Sequence, residues 1–308
     1  MVKRILWTLV ISYCTTASAE VPFGARHVLV VDPDKGEVLL DKDSSTVVPI
    51  ASLTKLMTAM VVLDAGQDLD ELIRIEAEDV DTLKHTGSRL SVGAHLSRRS
   101  ALRLALTCSD NRAAAALART YPGGREAFMA AAGEKLRELG MESTSLTEPT
   151  GLSANNRSTA SDLVKLVQAA SAYFEITQFT TQSKDSVEVN GRQIAYQNTN
   201  RLVGTPGWNI LLSKTGFTNE AGYCVAMWLQ AETKKVIVVL LGAAANSQRM
   251  VDALNVQRWL AGETTYLAAP ASHRTRLTKA KHAGTRHRRQ DVAAERPAQN
   301  EIAAPEVK

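Results

Sequence analysis

The sequence predicts an α+β fold, in which one antiparallel sheet is flanked by helices and an all-helical subdomain is inserted between its strands. Two observations indicate this arrangement. Runs rich in β-forming residues occur early, in "HVLVVDPDKGEVLLDKD", and again after about residue 185, while alanine-rich helical segments fill the interval. Since an isolated hairpin would leave its apolar face in water, the strands from both ends are expected to share one sheet.

The individual elements follow in chain order. The first run is a hairpin that turns at residues 32–36, and a helix with apolar residues at helical spacing is expected from about Ser52 to Ala65. Helices separated by glycine-containing loops continue to about residue 175. Three strands come next, in "WNILLSKTG", "GYCVAMWLQ" and "KKVIVVLLG", followed by an amphipathic helix. The first and last helices are expected to cover the sheet, with a site in the groove between the sheet and the inserted block.

The two ends of the 308-residue chain differ in composition from the region between them. Two basic residues, a short apolar run and the small-residue site Ala17–Ala19 predict a signal peptide over residues 1–19, and therefore a periplasmic location. One folded domain is then expected over residues 20–262, with the helical insertion at about 66–175.

Residues 263–308 are predicted to form a disordered basic tail. Between His273 and Arg289 the chain has seven Lys or Arg residues and three His residues but no acidic residue. The tail and the signal peptide account for the basic balance of the chain, so the domain between them is slightly acidic. This distribution argues against nucleic acid as a partner. The tail either contacts the anionic polymers of the cell wall or membrane surface, or is a passive solvated segment.

Two cysteines lie in the predicted domain, Cys108 and Cys224, and both are within apolar stretches. They are expected to be free, buried thiols, although an exported protein could pair them. The six histidines are scattered without the spacing of a zinc site, so no metal ion and no cofactor is implied.

Three short motifs lie in order along the predicted domain. Residues 52–55 (SLTK) begin the first helix, residues 109–111 (SDN) begin a helix of the inserted block, and residues 214–216 (KTG) end an apolar strand. An acyl-transfer enzyme needs a nucleophile, a base and donors for the oxyanion. The three motifs contain residue types suited to each of these roles.

Ser52 and Lys55 are the candidates for the nucleophile and its base. They lie one helical turn apart, so the amine can reach the hydroxyl. A lysine is a poor base near pH 7 unless its pKa is lowered from about 10.4. Burial and a second cation, for which Lys214 is the candidate, are expected to lower it. The N–H groups of Ser52 and Phe217 are candidates for the oxyanion donors.

The remaining motif residues are candidates for proton transfer and substrate binding. Ser109 can relay a proton to the leaving amine, and the Asn111 amide can hold a substrate carbonyl or the lysine ammonium. Lys214 and Thr215 can bind a substrate carboxylate. Gly216 leaves room for the substrate backbone to pair with the strand edge.

Taken together, the three motifs match the known signature of penicillin-binding proteins and class A β-lactamases. With further segments such as "EPTGLS", "NTN" and "KTGFTN", the chain resembles the serine D-alanyl-D-alanine peptidases, the low-molecular-mass penicillin-binding proteins, over about residues 25–262. The resemblance implies a β-lactamase/transpeptidase-like fold, peptidoglycan stem peptides as substrates, and β-lactam antibiotics as covalent inhibitors. Within that family the chain most resembles the D-alanyl-D-alanine endopeptidases.

Three other functions fit parts of this pattern. A D-alanyl-D-alanine carboxypeptidase attacks the same carbonyl, but the sequence after the last predicted helix has neither the β-rich domain nor the amphipathic anchor helix expected of its membrane-tethered forms. A class A β-lactamase needs a deacylating carboxylate, and Glu148 is followed by Leu152 where that motif has asparagine. A non-catalytic peptidoglycan-binding or β-lactam-sensing module would leave the serine and the two lysines unexplained.

Overall fold

The computed structural model describes residues 21–231 and 234–268, so the predicted signal peptide and residues 269–308 of the predicted tail lie outside the described residues. The strands are β1 (His27–Asp32), β2 (Glu37–Lys42), β3 (Val48–Pro49), β4 (Leu72–Arg74), β5 (His95–Ser97), β6 (Arg157–Ser158), β7 (Lys184–Val189), β8 (Arg192–Gln197), β9 (Ile210–Thr218), β10 (Gly222–Gln230) and β11 (Lys235–Ala243). The α-helices are α1 (Thr54–Asp64), α2 (Arg98–Thr107), α3 (Asn111–Arg119), α4 (Gly124–Glu138), α5 (Ala160–Ala170), α6 (Phe174–Thr180) and α7 (Asn246–Leu260). Among these helices, none is long and apolar enough to cross a membrane.

The central feature is a five-stranded antiparallel sheet with the strand order β2-β1-β11-β10-β9. β1, from the beginning of the domain, pairs with β11, from its end, with His27 opposite Leu241. This confirms the prediction that strands from both ends of the chain share one sheet. β9 lies at the edge of the sheet, so one side of its backbone is free of strand pairing in this sheet.

Side chains alternate between the two faces of this sheet and contribute to two separate apolar clusters. On one face, Val28 and Val30 cluster with Ala253 of α7. On the opposite face, Leu29 and Val31 belong to the larger cluster that also contains the helical block. Because helices cover both faces, the central strand β11 is almost entirely apolar, whereas the edge strand β2 is mostly exposed.

The helix that makes the extensive contact with the second face is α5, not α1 as predicted. α1 instead contacts all five helices from α2 to α6, and its residues from Thr54 to Val62 are all buried. No charged residue occurs between Leu56 and Leu63, so the helix has no polar face to present to water and is enclosed on all sides. α1 is therefore the centre of the helical block.

The hairpin formed by β7 and β8 is an element that the sequence analysis did not predict. It is a separate two-stranded sheet that contacts α2 and β5. Its turn contains Asn190 and Gly191, both with positive φ angles of 51° and 73°. An Asn-Gly pair at this position is a strong hairpin signal, which could have identified the element.

The ordered domain continues past the predicted boundary at residue 262. The backbone N–H of Leu267 donates to Asn255 Oδ1 at 2.8 Å, and the Leu267 carbonyl accepts from Asn255 Nδ2 at 3.1 Å. Asn255 is fully buried on α7, so these two bonds satisfy a polar group that would otherwise be costly to bury.

Candidate active site

Ser52 and Lys55 meet where the chain enters α1. Ser52 lies in the 3₁₀ turn Ala51–Leu53, and Lys55 lies in the first turn of α1. The two side chains project to the same side of this continuous helical segment, and Lys55 Nζ donates to Ser52 Oγ at 2.9 Å. Ser52 is partly exposed whereas Lys55 is 1 % exposed, so the serine is accessible from solvent and the lysine is buried.

The Lys55 amine has two further acceptors from other parts of the chain. Nζ donates to Asn111 Oδ1 at the start of α3 and to the backbone carbonyl of Thr150, both at 2.6 Å. Burial lowers the pKa of Lys55 to about 8, and the charge of Glu148 acts in the opposite direction. A pKa near 8 leaves a useful fraction of the amine neutral near pH 7, as a general base requires.

The backbone around Ser52 is tightly packed at two glycines. A side chain on Gly151 would meet the carbonyl oxygen of Ala51 at 1.9 Å, and a side chain on Gly216 would lie 3.0 Å from the Ser52 nitrogen. Ala51 itself has a positive φ of 48°, a strained conformation for a residue with a Cβ atom. The sequence analysis assigned Gly216 to substrate clearance; in the structure, contact with the Ser52 turn is a second reason for glycine.

Ser109 and Lys214 form a second pair on the other side of the site. Lys214 Nζ donates to Ser109 Oγ at 2.9 Å and to the carbonyl of Thr215 at 3.1 Å. Burial, and then the charge of Lys55, lower the pKa of Lys214 well below its usual value. Lys214 was expected to lower the pKa of Lys55. Instead, burial lowers the pKa of Lys55, and the charge of Lys55 lowers the pKa of Lys214.

The structure therefore divides the predicted residues into two hydrogen-bonded groups. One contains Ser52, Lys55 and Asn111, and the other contains Ser109 and Lys214. Within the described residues, Ser109 Oγ bonds to Lys214 and has no hydrogen bond to the first group. Lys214 is thus the titratable side chain in hydrogen-bond contact with Ser109 Oγ among the described residues.

The residue between Ser109 and Asn111 has a structural role. Asp110 caps α3, because its Oδ1 accepts from the backbone N–H of Ala113 at 2.9 Å. Its Oδ2 accepts from Ser88 Oγ at 2.8 Å. This cap fixes the start of α3 and thereby the position of Asn111.

Thr215 and Phe217 lie farther along β9, at the sheet edge. Thr215 Oγ1 donates to Thr199 Oγ1 at 2.6 Å, which links β9 to the Asn198–Asn200 segment. Phe217 is 48 % exposed, and its ring stacks on that of Tyr223 with centroids 4.2 Å apart. Thr199 was not singled out from the sequence, although it lies in the "NTN" segment that contributed to the family resemblance.

Glu148 orders the loop that supplies the Thr150 carbonyl to Lys55. Its carboxylate accepts from the backbone N–H groups of Thr150 at 2.7 Å and Gly151 at 2.6 Å, and from Asn156 Nδ2 at 3.1 Å. These bonds are all to its own loop. Sequence reasoning treated Glu148 as a simple loop residue and did not find the carbonyl acceptor, since a backbone group has no sequence signal of its own.

Both cysteines are free thiols, as predicted. Cys224 is buried as expected, whereas Cys108 is only partly buried. Burial raises the pKa of each thiol to about 11, so both are protonated near neutral pH and are poor nucleophiles.

Solved structures with the same fold support the predicted architecture. The crystal structure of the Streptomyces K15 DD-transpeptidase superimposes with a TM-score of 0.73, at 24% sequence identity, over 78% of this chain and 98% of that one. The D-alanyl-D-alanine carboxypeptidase from Mycobacterium tuberculosis superimposes with a TM-score of 0.71, over 83% of this chain and 98% of that one. At these identities the likeness concerns the fold, and it confirms the predicted transpeptidase-like α+β class.

Sequence comparisons give the family. A D-alanyl-D-alanine endopeptidase of Pseudomonas aeruginosa is 41% identical, over 85% of this chain and 89% of the relative, and one of Escherichia coli is 40% identical over 80% of both. The D-alanyl-D-alanine carboxypeptidase DacF of Bacillus subtilis is 30% identical over 80% of this chain and 68% of the relative. The family model described as D-alanyl-D-alanine carboxypeptidase matches residues 14–245. By this match and these identities, the chain belongs to the peptidase S11 family of D-alanyl-D-alanine peptidases.

Proposed function

We propose that this protein is a serine-type D-alanyl-D-alanine endopeptidase, which hydrolyses the D-alanyl-diaminopimelate crosslinks of peptidoglycan through an acyl-enzyme on Ser52. The observation that carries the proposal is the contact of the buried Lys55 amine with Ser52 Oγ, in a chain whose relatives at 40–41% identity bear this name. A hydroxyl paired with a lysine of lowered pKa is an activated nucleophile.

Acylation uses the two hydrogen-bonded groups in turn. Neutral Lys55 accepts the proton of Ser52 as Oγ attacks the D-alanyl carbonyl, and the N–H groups of Ser52 and Phe217 stabilise the oxyanion. The carbon–nitrogen bond then breaks, and the leaving amine takes a proton from the Lys214 ammonium through the Ser109 hydroxyl. In the free enzyme the pKa of Lys214 lies well below its usual value. A substrate carboxylate beside Lys214 and Thr215 reverses this by favouring the charged form of Lys214, and the ammonium so formed favours neutral Lys55.

Hydrolysis of the acyl-enzyme restores both lysines. Water attacks the ester carbonyl and loses a proton to neutral Lys214 through Ser109. The ester bond breaks, and Ser52 Oγ recovers its proton from the Lys55 ammonium. The products are a D-alanyl carboxylate and a free amine, and the enzyme returns to its starting protonation state.

The carboxypeptidase reading remains the second candidate, since the family model and several relatives bear that name. It differs only in the leaving group, which would be a terminal D-alanine instead of a second stem peptide. The endopeptidase is preferred because the relatives named carboxypeptidase are at 28–33% identity. Both carboxylate oxygens of Glu148 accept hydrogen bonds from its own loop. This favours a peptidase over a β-lactamase, because a β-lactamase needs a free carboxylate for deacylation.

We further propose that the protein is exported to the periplasm by a signal peptide cleaved after Ala19, and that its basic tail contacts anionic polymers of the wall or membrane surface. Peptidoglycan lies outside the cytoplasmic membrane, so an enzyme acting on it must be exported. The seven cations without an acid between residues 273 and 289 support the second part.

Replacement of the nucleophile is the first test. Ser52→Ala should abolish covalent labelling by fluorescent penicillin and lower hydrolysis of crosslinked substrate by a factor of about 10⁴ or more, because no acyl-enzyme can form. Ser171→Ala, at the end of α5, is the matched control and should label normally. Labelling of the Ser52→Ala protein at the normal rate would exclude Ser52 as the nucleophile.

The pH dependence of acylation tests the role of Lys55. Its protonated form cannot accept a proton, so the second-order rate constant for penicillin acylation should rise about tenfold per pH unit below pH 7 and level off above about pH 8–9. Glu148→Gln removes a charge that raises the pKa of Lys55, so its midpoint should lie at lower pH. Glu37→Gln, on β2, is the control. A rate independent of pH across this range would contradict the assignment.

Digestion of purified crosslinked muropeptide dimers, read by mass spectrometry, distinguishes the two candidate activities. The wild-type protein should convert dimers to monomers, and the Ser52→Ala protein should leave them intact. Loss of one D-alanine from pentapeptide monomers, with dimers untouched, would make the enzyme a carboxypeptidase.

The export and tail proposals are tested on protein recovered from the periplasm, whose intact mass should correspond to a chain beginning at Glu20. Truncation after Ala268 retains the contacts of Leu267 and should reduce sedimentation with isolated cell walls at low salt. A full-length variant with the seven cations of residues 273–289 changed to Gln should behave in the same way, since screening acts over roughly 10 Å at 0.1 M salt. Unchanged sedimentation of both variants would indicate a passive tail.

A further inference from the structure

A large open groove has Ser109 in its lining. It lies between α2, the segment of residues 87–90, and the hairpin formed by β7 and β8, and its volume is about 1080 Å³. We call it the hairpin groove. Its lining includes Arg89, Leu104, Ser109, Lys184, Ala195 and Tyr196. Pockets that bury drug-sized ligands have volumes of about 300–1,000 Å³, so the space suits a ligand considerably larger than one amino acid.

The position of the groove relates it to the leaving group. Ser109 is bonded to Lys214 at 2.9 Å, and in the proposed reaction it delivers the proton to the leaving amine. The leaving amine must therefore lie close to Ser109 when the bond breaks. Because Ser109 also lines the hairpin groove, the groove is adjacent to whatever is attached to that amine.

The free charges in the groove are positive. Lys184 is exposed and has no salt bridge among the described residues, and Arg89 is also exposed. The two carboxylates that line the groove already have partners within the protein. Asp185 forms a salt bridge with Arg103 at 3.3 Å, and Asp110 accepts a hydrogen bond from a backbone N–H at the start of α3. Stem peptides carry free carboxylates, to which the two exposed cations Lys184 and Arg89 are complementary.

The groove also has a fixed shape. Its apolar part comes from Leu90, Leu104 and Ile194. Tyr196 is 3 % exposed, and its hydroxyl bonds to Asp185 Oδ2 at 3.3 Å, which ties the two strands of the hairpin together. The Arg89 guanidinium donates to the Ala195 carbonyl and links the opposite wall to the hairpin. A pre-formed groove binds its ligand with little ordering cost.

We propose that the hairpin groove binds the second stem peptide of a crosslinked substrate, an acidic peptide attached through its amine to the scissile D-alanyl carbonyl. The groove thereby gives the enzyme its preference for crosslinks over terminal D-alanine. This inference rests on the proposed endopeptidase function and extends it to the residues that select the substrate.

Filling the groove gives the sharpest test. Ala195→Trp places a large side chain at an exposed position of the groove wall and should lower kcat/KM for crosslinked dimers by at least about tenfold. Gln193→Trp is the matched control, because it lies two residues along on the same face of β8 but outside the groove. Penicillin acylation should stay within about twofold of wild type in both proteins, which also reports that the site is folded.

Reversal of the free charge tests the chemistry of the ligand. Lys184→Glu should raise KM for dimers several-fold, because one charged contact with the ligand is lost. The kcat value and the rate of penicillin acylation should stay nearly unchanged. Lys35→Glu, in the exposed turn between β1 and β2, is the control for net charge. Added salt should reduce the difference between wild type and Lys184→Glu.

A binding measurement separates this inference from the proposed reaction. In a Ser52→Ala background, affinity for labelled dimers should fall when Ala195→Trp is added and stay constant with Gln193→Trp. If the wild type does not cut dimers but this groove-dependent binding is found, the endopeptidase proposal fails and the groove assignment stands. If the wild type cuts dimers and the groove variants change neither cleavage nor binding, the groove assignment fails alone.

Discussion

A lysine side chain that is 1 % exposed lies 2.9 Å from the Ser52 hydroxyl, and much of the structure around it serves to make that burial possible. An amine removed from water needs acceptors for its protons and is otherwise strongly destabilising. Here the acceptors are Ser52 itself, the Asn111 amide and the Thr150 carbonyl, which come from three separate segments. The site can therefore exist only when α1, α3 and the loop after residue 147 are packed together.

The same requirement explains features that touch no substrate. Asp110 caps α3 and so fixes Asn111, while Glu148 holds the loop that presents the Thr150 carbonyl. Gly151 allows that loop to approach the Ser52 turn more closely than any side chain would permit. Each of these residues positions an acceptor of Lys55, and the charges of Glu148 and Asp110 also raise its pKa directly. The strained φ angle at Ala51 is maintained by the contacts on either side.

The second buried amine, Lys214, cannot be charged at the same time as Lys55 without electrostatic repulsion. Two buried ammonium groups in one site repel each other, and the cost falls on Lys214, which bonds to Ser109. A site with one neutral and one charged lysine can both accept and donate a proton without an external base. In the proposed reaction, nucleophile activation at Lys55 is separate from protonation of the leaving amine at Ser109. Ser109 also lines the hairpin groove, so under this proposal the leaving group lies beside that groove.

The sequence by itself determined the sheet, the three motifs and the family, because these depend on local patterns: alternating or continuous apolar runs, turn residues, and short segments of fixed spacing. It also identified Ser52 and Lys55 as neighbours, since one helical turn fixes their distance. Only the tertiary structure showed which helix covers the sheet: α1, which has no polar face, is enclosed by the other helices, and the amphipathic α5 packs its apolar face on the sheet. Likewise, the Thr150 carbonyl and the contact of Thr215 with Thr199 join residues distant in the chain through groups without a sequence signature. The hairpin groove is of the same kind, since its walls come from three segments that only the fold brings together.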